Sequence, residues 1–249
     1  IKAGVDMSMV PNNQQYKRYC KELIELVREG RVTQKRLDDA VRRILRVKFR
    51  LDLFENPYTL KENYPNFASK EHMKKAYLSA AQSITLLKNK KNVLPAKKSS
   101  KVMVIGPTAN SLNCLNGAWT HTWQGVDPQH NNSNNPTIYE AIKKNSANCD
   151  LYEGSVMKMI NGDEADFYSP DLKTAVKNTS KYDLAIICVG ELPSTERPGD
   201  IYRLDLPKEQ QEIVKALSKT GIKIVLVLVE GRPKIISEIE PLADAIIPV

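Results

Sequence analysis

The run KVMVIGP (101–107) decides the fold. It is short, continuously apolar and closed by Gly-Pro, the pattern of a strand buried on both faces. The same pattern returns in YDLAIICVG (182–190), in KIVLVLVEG (223–231) and at the end of IISEIEPLADAIIPV (235–249), where a helix is predicted before the strand. CDLYEGS (149–155) is a further candidate strand. Between these runs TIYEAIKKN, SPDLKTAVKNTS and PKEQQEIVKALSKTG carry helical spacing. Ser169 and Pro170 make a good helix start, and Gly221 a stop. Strands alternating with helices imply βαβ units, hence an α/β fold with a mostly parallel sheet and helices on both faces. Ligands of such sheets sit beyond the carboxyl ends of the strands. The loops after Gly106, Gly190 and Glu230 are therefore the places to look for a site.

Upstream of residue 101 the pattern is different. AGVDMSMV (3–10) alternates and stops at Pro11, which predicts a short strand. QYKRYCKELIELVREG places Leu23, Ile24 and Val27 at helical spacing, with Gly30 as the stop. A second helix is predicted from an N-cap at Thr33, with Leu37, Val41, Ile44, Leu45 and Phe49 on one face until FENPYT breaks it. Residues 71–88 read as a helix, or a helix and a short strand.

The net charge of +8 raises the possibility of a nucleic-acid partner. The basic residues are interspersed with acids, however, and the densest cluster, KNKKNVLPAKKSSK (88–101), lacks interleaved aromatics and reads as a solvated connection. No stretch approaches the roughly eighteen apolar residues of a membrane helix. The four cysteines form no C-x-x-C pair, and Cys188 falls inside a buried strand. His72, His121 and His130 show no ligand spacing, so no metal is expected. GPTAN (106–110) lacks the glycines of a dinucleotide fingerprint. The absence of G-x-S-x-G removes support for a serine hydrolase.

Two loops remain. ELPSTERPGD (191–200) follows a buried strand and holds Glu191, Glu196, Arg197 and Asp200 on a segment stiffened by prolines. NGAWTHTWQG (116–125) holds the only two tryptophans, Trp119 and Trp123. Loop tryptophans either plug the gap between loop and sheet or offer flat faces to sugar rings.

Taken in order, AGVDMSMVP, RLDDAVRRILRVKFRLDLFENPY, AAQSITLLKN, LP, VMVIGPTAN, GAWTHTWQG, VGELPSTERPGD, LDLPKEQQEIV and VEGRP resemble glycoside hydrolase family 3, in particular its β-glucosidases and β-glucan exohydrolases of plant type. The resemblance implies the end of a TIM-like (β/α)8 barrel, with the start of the linker, over 1–87. It further implies a linker over 88–100 and an α/β sandwich domain over 101–249, and both chain ends read as cut. The implied reaction is hydrolysis of terminal non-reducing β-D-glucosyl residues with retention and without a cofactor. Glu196 matches the acid/base, Trp123 the tryptophan stacking on the leaving-group sugar, and Met9 a pocket-lining methionine. Glu191 matches a different position and is the second choice near the substrate. Asp52 stands where the family prefers glycine.

The family nucleophile lies in a Ser-Asp-Trp motif that these 249 residues do not contain. The expectation is therefore a chain holding the acid/base half of a site, inactive alone, whose partners are a β-linked oligosaccharide or glucoside and a missing N-terminal barrel part. Neither nucleic acid nor membrane is expected as a partner. A secreted or periplasmic location follows from the resemblance. The competing reading is a noncatalytic carbohydrate-binding or regulatory α/β module that uses the tryptophans but not Glu196.

Overall fold

In the computed structural model, which describes residues 1–146, 148–160 and 163–249, the chain divides into two compact units, Ile1–Lys75 and Ala76–Val249.

The first unit is built on two helices. Helix α1 (Asn13–Arg28) starts at Asn12, whose side chain accepts the N–H groups of Gln14 and Gln15. Helix α2 (Gln34–Arg50) starts, as predicted, at Thr33, whose hydroxyl accepts from the Arg36 N–H. It exits through Asp52, which adopts a left-handed conformation (φ 57°) of the kind a glycine takes more readily. Of the apolar face expected on α2, Val41, Leu45 and Phe49 are exposed, and Ala40 is the residue of the helix that is buried. The strand expected over 3–10 does not form. A strand needs a ladder partner, and none pairs with this segment among the described residues. Arg36 holds it instead, donating to the Ile1 carbonyl (2.9 Å) and to Asp6 (2.7 Å).

Helix α3 (Lys70–Ser83) carries the chain across the boundary. Strand β1 (Lys88–Asn89) follows and belongs to the sheet, although its sequence reads as connection. Next come β2 (Val102–Ile105), a four-residue helix α4 (Leu112–Leu115), α5 (Ile138–Asn145) and β3 (Cys149–Tyr152). A hairpin of β4 (Ser155–Ile160) and β5 (Asp163–Tyr168) precedes α6 (Asp171–Asn178) and β6 (Leu184–Gly190). Helix α7 (Lys208–Ser218), β7 (Lys223–Val229) and β8 (Ala245–Pro248) complete the unit.

Six strands make one sheet in the order β1-β8-β7-β6-β2-β3, antiparallel only where β1 meets β8. The mostly parallel α/β architecture is thus present. The central strands β2, β6 and β7 are almost wholly apolar because each face of the sheet carries a core. On one face Met103, Ile105, Ile187 and Leu226 pack with Ile213 and Leu217 of α7; on the other Val102, Val104, Cys188 and Val225 pack with Ile138 and Ile142 of α5. Burial pushes the Cys188 thiol up to about 12, so it behaves as a small apolar side chain.

The helix expected before β8 is absent, and only a single 3-10 turn, Glu240–Leu242, precedes that strand. Pro241 sits inside the supposed helix, and Ile235 is drawn out by a parallel bridge to Asp205. The β4–β5 hairpin has no counterpart among the elements expected from the sequence.

Gly190 ends β6 at φ 155°, where a Cβ would stand 1.7 Å from the Val229 carbonyl oxygen. Relief would require β6 and β7 to separate, breaking the ladder pair Gly190↔Val229. Gly190→Ala is expected to lower unfolding free energy by about 3 kcal/mol; urea titration of the 249-residue chain followed by circular dichroism measures it.

Candidate active site

Two loops meet beyond the carboxyl ends of β6 and β7. Glu191 comes directly after Gly190 and is buried. Its carboxylate has all its lone pairs engaged. Oε1 accepts from the Arg232 N–H (3.1 Å) and Nε (3.2 Å), while Oε2 accepts from Arg232 Nη2 (2.6 Å) and Lys234 Nζ (2.5 Å). Lys234 is partly buried, with its side chain only 7% exposed. Burial pushes the Glu191 carboxyl up, but the hydrogen bonds and charges of Arg232 and Lys234 outweigh it and hold the group below its ordinary range. Glu230, at the start of the same loop, moves upward because burial, and secondarily the Glu191 charge, disfavour its ionised form.

The strand end is fixed from the helix side as well. The wholly buried Gln210 of α7 accepts the Gly190 N–H (2.8 Å) and donates to the Gly190 carbonyl (2.9 Å). A cavity of about 500 Å³ opens next to this cluster, with Glu191, Ser194, Asp200, Arg203, Arg232 and Lys234 among its walls.

Five residues beyond Glu191 the chain reaches Glu196, which is exposed. Its backbone lies at φ 55°, ψ −152°, a region that is nearly glycine-only. The flanking hydrogen bonds are specific. On the N-terminal side, Gln124 Oε1 accepts the Thr195 N–H (3.0 Å) and Gln124 Nε2 donates to the Thr195 carbonyl (3.1 Å). On the C-terminal side, the Gly199 N–H donates to the Glu196 carbonyl (2.8 Å), and Arg232 Nη1 donates to the Gly199 carbonyl.

Gln124 follows Trp123, so the tryptophan loop is tied to the Glu196 loop. Within the tryptophan loop the Trp119 N–H donates to the Trp123 carbonyl (3.0 Å), and His121 stacks on His130 with ring centroids 5.1 Å apart. Gly125 turns the segment at φ 76°, with a Cβ excluded by the Gly117 carbonyl oxygen at 2.4 Å. Trp123 is 46% and Trp119 64% exposed. Both tryptophans are thus exposed in this chain. Met9 belongs to the first unit and is exposed.

Of the sequence-predicted residues, the structure brings Glu191, Glu196 and Trp123 into one connected set of loops. The residues connecting them, Gln124, Gln210, Arg232 and Lys234, escape sequence reasoning. Only the proximity of the loops after Gly190 and Glu230 on adjacent parallel strands hints at Arg232 and Lys234. Among the described residues no group of three or more His, Cys, Asp or Glu is arranged to hold a metal.

Residues 84–249 match the Glycosyl hydrolase family 3 C-terminal domain, and residues 1–47 match the Glycosyl hydrolase family 3 N terminal domain. The chain belongs to glycoside hydrolase family 3. It is 33% identical to the lysosomal beta glucosidase of Dictyostelium discoideum, covering 95% of this chain and 29% of that protein. To the periplasmic beta-glucosidase of Salmonella typhimurium it is also 33% identical, covering 99% and 34%. The Listeria innocua beta-glucosidase in complex with glucose superposes with a TM-score of 0.79 at 25% identity, over 99% of this chain and 32% of that one. The exo-1,3/1,4-beta-glucanase of a Pseudoalteromonas species gives 0.75 at 28% identity, over 99% and 29%. This family 3 chain thus spans about a third of the length of these relatives.

A removed Glu191 charge would strand two cations. Glu191→Gln is expected to destabilise the chain by about 3 kcal/mol at neutral pH. Because the folded carboxyl titrates below its unfolded value, its contribution is complete above about pH 4.3 and is lost as pH falls through the lowered value. Thermal melts between about pH 3 and about pH 7 should show the wild type losing more stability than the variant on the acid side.

Proposed function

We propose that this chain contributes the general acid/base half of a retaining β-glucosidase that removes terminal non-reducing β-D-glucosyl residues. The observation that carries the reading is the placement of Glu196: exposed, in a backbone conformation other residues avoid, on a segment hydrogen-bonded to the loop that presents Trp123. Such strain persists where surrounding structure over-determines it, and it gathers at functional sites.

The chemistry follows from two carboxyl groups. A nucleophilic carboxylate attacks the anomeric carbon as the glycosidic C–O bond breaks. The departing oxygen takes the proton of Glu196, leaving a glycosyl ester and a Glu196 carboxylate. That carboxylate then removes a proton from water as the water oxygen bonds to the anomeric carbon. The ester carboxylate leaves, and both groups regain their starting states. Glu191 does not serve as the acid, because its oxygens are engaged and its proton is held too weakly; it acts through Arg232 on the loop that carries Glu196. Trp123 offers a flat face to the leaving-group sugar, and Met9 belongs to the pocket wall of the barrel.

The nucleophile would come from a Ser-Asp-Trp segment of the longer polypeptide, and residues 1–87 would be the end of its TIM-like barrel. The match of residues 1–47 to the family's N-terminal domain supports this, as do the uncovered apolar face of α2 and the one-third coverage of relatives. Relatives known as a lysosomal and a periplasmic beta-glucosidase support a destination outside the cytosol.

The isolated chain should hydrolyse p-nitrophenyl β-glucoside no faster than buffer. In the full-length polypeptide, Glu196→Gln should lower kcat/KM about a thousandfold on a substrate with a basic leaving group, and far less on dinitrophenyl β-glucoside. Equal activity on both would favour the noncatalytic carbohydrate-binding module. Trp123→Ala should weaken disaccharide binding about tenfold, read by calorimetry; unchanged affinity removes it from the sugar site.

A further inference from the structure

We infer that Gln124 is the positioning residue that aims Glu196, and that it couples the acid/base loop to the tryptophan platform; this rests on the reading of Glu196 given above. Glu196 keeps its conformation only if the chain on both sides of it is held. Relaxing to negative φ would remove the strain and swing the Cα–Cβ bond, carrying the carboxyl with it. The C-terminal side is held through Gly199 by Arg232, which is anchored on the buried Glu191. The N-terminal side is held by the Gln124 amide, which grips both polar groups of the Thr195 backbone.

A primary amide suits this task. It presents a donor and an acceptor side by side, as a neighbouring β-strand would. A carboxylate of the same shape would keep the bond from the Thr195 N–H but set an oxygen against the Thr195 carbonyl. An aliphatic side chain would make neither bond. Gln124 is itself well placed to act as an anchor. It stands between Trp123 and the buried Gly125, whose backbone is closed against Gly117. Displacing Gln124 would therefore disturb the aim of the acid and release the tie to the loop bearing Trp123. Gln210 makes the same reciprocal grip on Gly190, but from inside the core and at the strand end. It serves as the structural comparison.

The test uses the full-length enzyme and three variants: Gln124→Ala, the nearly isosteric Gln124→Glu, and Gln210→Ala. For both Gln124 variants kcat/KM on methyl β-glucoside should fall by about thirtyfold or more, and on dinitrophenyl β-glucoside by about threefold or less, within the range open to acid catalysis. Gln210→Ala should lower the melting temperature and reduce both substrates by one common factor. If Gln124→Ala does not fold, the near-isosteric Gln124→Glu carries the test. Uniform loss across leaving groups in the Gln124 variants, or no loss, overturns the inference. Glu196→Gln run alongside separates the two ideas. A flat response there defeats the acid/base assignment itself. A steep response with flat Gln124 variants defeats only the role of Gln124.

Discussion

The buried ion cluster of Glu191 with Arg232 and Lys234 is the constraint on which the rest of the site depends. A carboxylate taken out of water is costly unless its lone pairs are filled, and here four donors fill them. The cluster joins two adjacent parallel strands at their carboxyl ends, since Glu191 follows β6 while Arg232 and Lys234 follow β7. It also leaves one guanidinium nitrogen of Arg232 for the Gly199 carbonyl. An ion pair that would be marginal as a source of stability thus becomes a fixed point from which a loop can be hung. Apolar residues of the same volume could fill the space, but they could not reach out to a backbone carbonyl.

From that point the chain from Gly190 to Gly199 is held in three places. Gln210 fixes the start, Gln124 the middle and Arg232 the end. In each case a side chain bonds main-chain atoms, so the loop acquires the hydrogen bonding of a sheet edge without a strand beside it. This satisfies the buried polar groups of an irregular segment. It also explains how Glu196 can keep a glycine-like conformation despite its side chain. The local cost is balanced by bonds that exist only in that geometry.

The sheet is legible in the sequence because its signal is redundant. Four apolar runs, each bounded by Gly, Pro or a charged residue, leave little choice but buried strands, and α5, α6 and α7 declare themselves by spacing. Where that redundancy fails, so does the reading. The segment over residues 3–10 alternates like a strand but finds no ladder partner among the described residues, and periodicity is blind to partners. The stretch 235–244 has helical spacing, but Pro241 and the bridge from Ile235 to Asp205 override it. The pairing of β4 with β5 goes unread because neither run is apolar enough to stand out beside the buried strands. In the site, Glu191 and Glu196 are both drawn out by their loop's place after a buried strand, and the resemblance alone gives each its expected role. The glutamines are invisible for a physical reason. A side-chain amide has no charge, period or spacing to betray it, and its role comes from which backbone folds against it.

That use of amides rather than packing has a chemical logic. On the proposed reading, a group that donates a proton in one step and accepts one in the next must remain in contact with solvent or substrate in both states, so Glu196 in that role could not be immobilised by burying its own side chain. Burial would favour the neutral acid and penalise the carboxylate that the second step requires. The alternative is to fix the backbone on either side and leave the side chain free. Retaining hydrolysis needs the two carboxyl groups about 5–5.5 Å apart, a tolerance a free loop would not meet. The arrangement seen here, an exposed glutamate between two anchored neighbours, satisfies accuracy and solvation together. The strain at Glu196 is then the consequence of aiming a side chain outward from a loop whose main chain is bound on both sides.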